Sequence, residues 1–140
     1  MKNVIYWFDE IYEKKYYLII NANKDFCLKF IKKKFDISYD EELIPALSGF
    51  TLSFDFNGYP DQASLIWIPS FKKDSNGLDV LSHELFHAAN TTFLARGVKW
   101  PDHKDDIGES CAYYLGYLMR KAMQGIENLD KRKKNNRKKS

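Results

Sequence analysis

Two histidines and a glutamate form the pattern His-Glu-x-x-His at residues 83, 84 and 87. On a helix, residues four apart project side by side, so the imidazoles of His83 and His87 would lie about 6 Å apart along the axis. Two neutral imidazoles placed in this way can bind one zinc ion. Glu84 could then serve as general base toward a zinc-activated water, whose pKa coordination lowers to about 7. The pattern predicts Zn2+ as cofactor and hydrolysis as the chemistry, and the apolar flanking residues favour this over two incidental helix histidines.

A catalytic zinc usually has three protein ligands and one open position, so a further ligand is expected. Glu109 is the first choice, because it opens the last predicted helix and the small residues Ala112 and Gly116 allow that helix to pack closely. An acid in a first helical turn also has a simpler explanation, since it stabilises the helix dipole. The competing ligand is His103, in the preceding loop, with weaker candidates at Asp102, Asp105 and Asp106.

The elements that must position these residues follow from hydrophobic periodicity and turn residues. Strand formers over 3–20 predict a hairpin turning at 13–15, and Asn23 can cap a helix that ends near Phe35. Residues 36–49 are expected to be largely irregular. Further elements are predicted as two hairpin strands over 50–56 and 63–68, the HExxH helix over 78–94 with a stop at Gly97, and a last helix over 107–123.

Composition and charge indicate one α+β domain over 1–125 and a basic tail over 126–140. The final ten residues carry seven Lys or Arg and no acid; without them, 15 basic residues stand against 19 acidic ones, a net charge of −4. The tail is predicted to be disordered, and either solubilises the chain or makes weak nucleic-acid contact through Lys131 to Lys139.

Two distant cysteines, Cys27 and Cys111, predict no disulfide framework and a reducing compartment. The amino terminus lacks the features of a signal peptide, and no apolar run is long enough to span a bilayer. These observations predict a cytoplasmic protein without a membrane partner.

The chain resembles the gluzincin branch of the zincin-like metallopeptidases, and especially small HExxH proteins encoded by bacteriophages. The resemblance covers residues 50–123 and is carried by three segments, Ile66-Trp67-Ile68-Pro69, His83 to Ala89, and Glu109 to Tyr113. It implies a minimal zincin-like domain in which a small, largely antiparallel sheet packs on the HExxH helix and on a second, ligand-bearing helix.

The same resemblance implies zinc ligands His83, His87 and Glu109, with Glu84 as general base in the hydrolysis of peptide bonds. An extended peptide or protein substrate would lie along the strand over 63–68 as an edge strand. Tyr113 stands where larger gluzincins have an acid. It could face the metal and stabilise an oxyanion, or it could pack between helices.

The HExxH motif also occurs in other classes of protein, which are alternatives to the gluzincin branch. The metzincin branch is disfavoured, because Asn90 and Phe93 stand where its Gly and third His belong. A nucleic-acid-associated, SprT-like protease remains a competitor through His103 and the basic tail, although the cysteine pairs of its zinc ribbon are missing. A non-catalytic, zinc-stabilised structural protein such as a phage virion component, located in the host cytoplasm or the virion, is the remaining alternative.

Overall fold

A computed structural model describes residues 3–40, 42, 44, 48–98 and 107–139, with the side chains of the last range described from Ser110 onward. Its elements are four strands and three helices, which confirms the predicted α+β class. In chain order they are β1 (Val4–Asp9), β2 (Lys14–Ile20), α1 (Lys24–Phe35), β3 (Phe50–Phe56), β4 (Tyr59–Ile68), α2 (Ser75–Arg96) and α3 (Ile107–Lys138).

The four strands form one mixed sheet in the order β1-β2-β4-β3. β1 with β2 and β3 with β4 pair as antiparallel hairpins, whereas β2 and β4 run parallel. The first hairpin turns over residues 10–13, earlier than the predicted turn at 13–15, and Asp9 pairs with Lys14 across it. The sheet is therefore largely antiparallel, as predicted, with one parallel pairing at its centre.

Helices cover both faces of this sheet. One face packs against α2 and α3, and its core includes Tyr16, Leu18 and Ile66. The other face packs against α1, and its core includes Tyr17, Ile19 and Leu65. Consecutive residues of the two central strands are consequently buried on opposite sides, which explains their continuous apolar runs.

The strand over 63–68 was predicted as the edge on which a peptide could lie, and this prediction is wrong. These residues belong to β4, which lies between β2 and β3, so the outer strand on this side is β3. The physical reason is that β4 pairs with β2 on one side and with β3 on the other, so neither of its backbone edges is open to a peptide over these residues. β3 instead alternates apolar and polar residues, as an outer, half-buried strand does.

The last helix is longer than predicted. α3 continues to Lys138, and Ile126 and Leu129 are buried in the core that it shares with the sheet. The predicted domain boundary at 125 therefore lies inside the helix. The basic tail, which the sequence predicts to be disordered, is helical as far as Lys138, because Lys and Arg are good helix formers and extend a helix already anchored by packing.

A buried polar cluster joins the second half of α2 to the sheet. The Lys14 amine, which is 0% exposed, lies 2.7 Å from the Asp61 carboxylate and donates to the Thr92 hydroxyl at 2.8 Å. Burial lowers the pKa of Lys14 to about 8, although the Asp61 charge opposes that shift. Lys14 is thus an interior residue at the start of β2 and not a residue of the turn in which the sequence predicted it.

Two tyrosines extend this cluster to α3 and β1. The Tyr16 hydroxyl lies 3.2 Å from that of Thr92 and 2.6 Å from that of Tyr114. Tyr114 in turn donates to the buried Asp9 carboxylate at 2.6 Å. Desolvation raises the pKa of both phenols, so both remain protonated donors. We call these six residues the Lys14 cluster: Lys14, Asp61, Thr92, Tyr16, Tyr114 and Asp9.

Candidate metal centre

The HExxH segment lies in the middle of α2, as predicted, and its helix has well-formed ends. The Asp74 carboxylate accepts a hydrogen bond from the Gly77 N–H at 2.9 Å, which caps the first turn. Gly97 ends the helix in the left-handed conformation at φ 69°, as the sequence predicted. The side of α2 that contains Leu81 and Leu85 is buried against the sheet, which leaves both motif histidines on the exposed side.

His83 and His87 converge on one point in space. Their Nε2 atoms lie 3.0 Å apart, and their ring planes are inclined at 79°. Two nitrogens bound to zinc at tetrahedral geometry would lie about 3.3 Å apart, given zinc–nitrogen distances of about 2.0 to 2.1 Å. The two exposed imidazoles therefore fit a shared zinc ion, with both Nε2 atoms as donors.

Glu84 contacts the outer strand β3 and lines the same cleft as His83. It is only 6% exposed, and its carboxylate accepts a hydrogen bond from the Thr51 hydroxyl of β3. The same hydroxyl lies 3.2 Å from the main-chain oxygen of Glu84. The carboxylate thus has a neutral hydroxyl as donor and, among the described residues, no ion-pair partner, which suits a proton acceptor.

Gly49 allows the chain before β3 to approach Glu84 closely. A Cβ atom at this position would lie 2.9 Å from Cγ of Glu84 and 3.0 Å from Cγ1 of Val80. These distances are shorter than ordinary packing contacts, so a side chain here would push against Glu84. The absence of a side chain at Gly49 therefore helps to set the position of the carboxylate.

Two clefts flank His83. The first, of about 280 Å³, lies between α2 and the segment before β3 and is lined by Ser48, Gly49, Asp79, Val80, His83 and Glu84. The second, of about 400 Å³, lies between α2 and α3; Leu85, Phe86, Leu115 and Met119 contribute its apolar lining. Solvent and an extended ligand can therefore reach the histidine from both sides.

The third ligand remains a prediction. Glu109 lies in the first turn of α3, as expected, but its side chain is outside the described part of the structure. His103 and the three aspartates at 102, 105 and 106 also fall outside the described residues. Among residues that are described, no group of three or more His, Cys, Asp or Glu is arranged to hold a metal ion.

Tyr113 and Cys111 follow Glu109 on α3 and have different environments. Tyr113 is 74% exposed, so it does not pack between helices. Cys111 is buried as a free thiol, as predicted, and burial raises its pKa. Cys27 is likewise free and buried, with its pKa raised to about 12 by desolvation. Burial therefore leaves neither thiol activated as a nucleophile.

Thr51 and Gly49 both contact Glu84, but neither was predicted from the sequence as a site residue. Thr51 occupies a polar position of an alternating strand, a position that usually indicates only an exposed face. Its partner Glu84 lies on a different element, and no sequence signal connects the two. Gly49 ends the segment that was predicted to be irregular, and its role depends on the contact with Glu84.

Comparisons of the chain with protein-family models, with curated proteins and with solved structures find no match. Within the described residues, no helix has the length and apolar character needed to cross a bilayer.

Proposed function

We propose that the chain is a zinc-dependent metallopeptidase in which His83, His87 and Glu109 bind the metal and Glu84 acts as general base. One observation carries the proposal: the two Nε2 atoms converge to 3.0 Å on an exposed helix face, beside a buried carboxylate. Two histidines that served only to pack the helix would have no reason to converge in solvent. A zinc ion bound there would supply Lewis acidity toward a water and a substrate carbonyl.

Glu84 would move the proton that hydrolysis requires. Its carboxylate accepts a proton as water adds to the carbonyl carbon, and then delivers that proton to the amine nitrogen as the C–N bond breaks. The Thr51 hydroxyl bonds to this carboxylate and keeps it oriented between the two steps. Thr51 is therefore a positioning residue, and Glu84 is the residue that would contact the reacting atoms.

The outer strand β3 is the proposed site for the substrate backbone. It carries Thr51 and follows the segment that lines the cleft beside His83 and Glu84. An outer strand can pair with an extended peptide through main-chain hydrogen bonds. The proposed substrate is therefore an unfolded or flexible peptide segment, laid along β3 and not along the interior strand β4.

We further propose a cytoplasmic location, because both cysteines are free thiols. The resemblance to phage-encoded proteins extends this proposal to the cytoplasm of an infected host or to a virion.

The experiment compares zinc content and peptidase activity of the purified chain and its variants. Glu84→Gln is expected to retain zinc and to lose about 10²- to 10⁴-fold in turnover, because it removes only the general base. Glu109→Ala is expected to lose zinc affinity, whereas Glu127→Ala, a change on the exposed side of the same helix, is expected to bind zinc normally. Zinc content by mass spectrometry and cleavage of a quenched peptide library are the two measurements.

Three outcomes would contradict parts of this proposal. If His103→Ala loses zinc while Glu109→Ala does not, the third ligand is His103. If the chain binds zinc with four protein ligands and cleaves no peptide, the metal is structural. If neither His83→Ala nor His87→Ala changes zinc content, the two histidines are not zinc ligands and the proposed metal site is wrong.

A further inference from the structure

The carboxyl-terminal end of α3 extends beyond the packed core and carries a high density of positive charge. Leu129 is the last buried residue of α3, and the helix continues to Lys138. We call residues Lys131 to Lys139 the basic segment: it carries seven Lys or Arg, two Asn, no acid and no apolar residue. All of its side chains are exposed except Lys133, which is half-buried.

Its charges surround the helix axis and do not form a stripe. At 100° per residue, Lys131, Arg132, Lys133 and Lys134 alone cover every side of the helix. The helical part of the segment is about 12 Å long, at 1.5 Å per residue. Side chains on all sides can contact phosphates only if phosphates are present on more than one side.

The rest of the protein carries the opposite charge. Outside the basic segment, 19 acidic residues exceed 15 basic ones. A polyanion is therefore attracted to the segment and repelled by the body, which would orient the complex. The Arg132 side chain lines a small cleft with Tyr6 and Asn128, so the base of the segment is attached to the body and not tethered by a loop.

We propose that the basic segment binds double-stranded DNA as a helix placed in the major groove. That groove is about 12 Å wide, admits one α-helix and has phosphates along both walls. Binding would be independent of sequence, because cations that contact phosphates supply affinity without base readout. This DNA-binding activity is separate from the proposed peptidase activity and does not depend on it.

Two other polyanions fit less well. An anionic membrane presents charge on one side only, and a helix that lies in its surface needs an apolar face, which the basic segment lacks. Double-stranded RNA has a deep, narrow major groove that does not admit a helix in the same way. Duplex DNA therefore fits the basic segment better than an anionic membrane or double-stranded RNA does.

The test measures fluorescence anisotropy of a labelled DNA duplex of mixed sequence, titrated with the full chain at several salt concentrations. If five phosphates are contacted, the affinity should fall about 500-fold between roughly 50 and 200 mM salt. An RNA duplex of the same sequence and vesicles containing phosphatidylserine serve as competitors. Both should compete weakly.

A charge-matched pair of variants locates the binding site. Lys131→Gln/Lys134→Gln/Lys138→Gln should make the log–log salt slope shallower by roughly 2.7, because each contact contributes about 0.9. Lys29→Gln/Lys33→Gln/Lys34→Gln removes the same charge from α1 and should leave the slope unchanged. Glu84→Gln should bind DNA like the unmodified chain, which separates this activity from the peptidase site.

The proposal fails if the α1 variant loses as much affinity as the basic-segment variant, because net charge and not the helix would then be responsible. It also fails if vesicles bind and DNA does not, or if the salt slope of the unmodified chain is close to zero. Circular dichroism of both triple variants excludes unfolding as the cause of lost binding.

Discussion

Near the middle of α2 the motif histidines face solvent, whereas nearer its carboxyl end Thr92 lies in the interior as part of the Lys14 cluster. His83 and His87 contact one another at 3.0 Å on an exposed face. Thr92 instead accepts a hydrogen bond from a fully buried Lys14 and lies beside the Tyr16 hydroxyl. One helix therefore carries two groups of polar residues in opposite environments.

The polar residues of the Lys14 cluster stabilise the fold, whereas the histidine pair is available to a ligand. In the Lys14 cluster, each donor has a partner within the protein, so the cluster has no remaining capacity for substrate. At the histidine pair, two donor atoms converge where a ligand can enter. We expect substitutions in the Lys14 cluster to alter stability, and substitutions in the histidine pair to alter zinc binding and turnover.

The largest effect is expected from Lys14→Met, which leaves the Asp61 carboxylate buried without its partner. Breaking a buried ion pair in this way costs about 3 to 5 kcal/mol of the free energy of unfolding. In metal-free buffer His83→Ala should change that free energy by no more than about 0.5 kcal/mol, because the side chain is exposed. Urea denaturation of both variants gives the comparison.

The double variant Lys14→Met/Asp61→Asn serves as the control for this prediction. It removes both charges together, so it should regain much of the stability that the single variant loses. A loss of less than about 1 kcal/mol in Lys14→Met would show that the cluster contributes little. Equal losses in Lys14→Met and His83→Ala would remove the distinction between the Lys14 cluster and the histidine pair.

A smaller effect is expected from Thr51→Val, which removes the hydroxyl that donates to Glu84. Turnover should fall about tenfold, whereas zinc affinity should not change, because Thr51 orients the base and does not contact the metal ligands. Ser53→Ala is the matched control, since Ser53 lies on the same strand and bonds to Thr91 at 3.1 Å. If the two variants lose turnover equally, Thr51 has no specific role in positioning Glu84.

The smallest predicted effect is a pH dependence of the free energy of unfolding, and it arises from Lys14 in the Lys14 cluster. Lys14 has its pKa lowered to about 8 in the folded chain, against 10.5 for the ordinary side chain. Between these values the unfolded chain binds more protons than the folded one, so raising the pH favours folding. From pH 8 to 9 this contributes about 1 kcal/mol.

The measurement is the free energy of unfolding at pH 8 and 9, taken for the unmodified chain and for Lys14→Met/Asp61→Asn. The difference between the two chains isolates Lys14, because the buried thiols shift in the opposite direction and are present in both. The thiol pKa of Cys27 is raised to about 12, so its unfolded form ionises first and stability falls as the pH rises past 9. An equal pH response in both chains would contradict the Lys14 assignment.

Much of the fold could be predicted from sequence, because local signals determine most of its elements. Asn23 caps α1 as predicted, with its side chain accepting from the Phe26 N–H at 2.9 Å. Gly97 ends α2, and the alternation over 50–56 identifies β3. In each case the signal lies within a few residues of the feature it specifies.

The order of strands and the surroundings of the site could not be predicted in the same way. β4 was assigned to an edge from the family resemblance, and its apolar run indicates burial on both faces but not which strands lie beside it. Lys14 was placed in a turn, because its burial depends on Asp61 and Thr92, which are distant in sequence. The helical extension could have been expected, since Ile126 and Leu129 continue the apolar spacing of α3.

The parallel pairing of β2 with β4 has a consequence for how the chain acquires its structure. Each antiparallel hairpin can form early from neighbouring residues, but β2 and β4 must meet across α1 and all of β3. Closing so long a loop is slow relative to forming a hairpin, so docking of the two halves of the sheet is the expected late step. β3, β4 and α2 follow one another in the chain, so Thr51 can meet Glu84 before this step, whereas Lys14 can reach Asp61 and Thr92 only once it is complete.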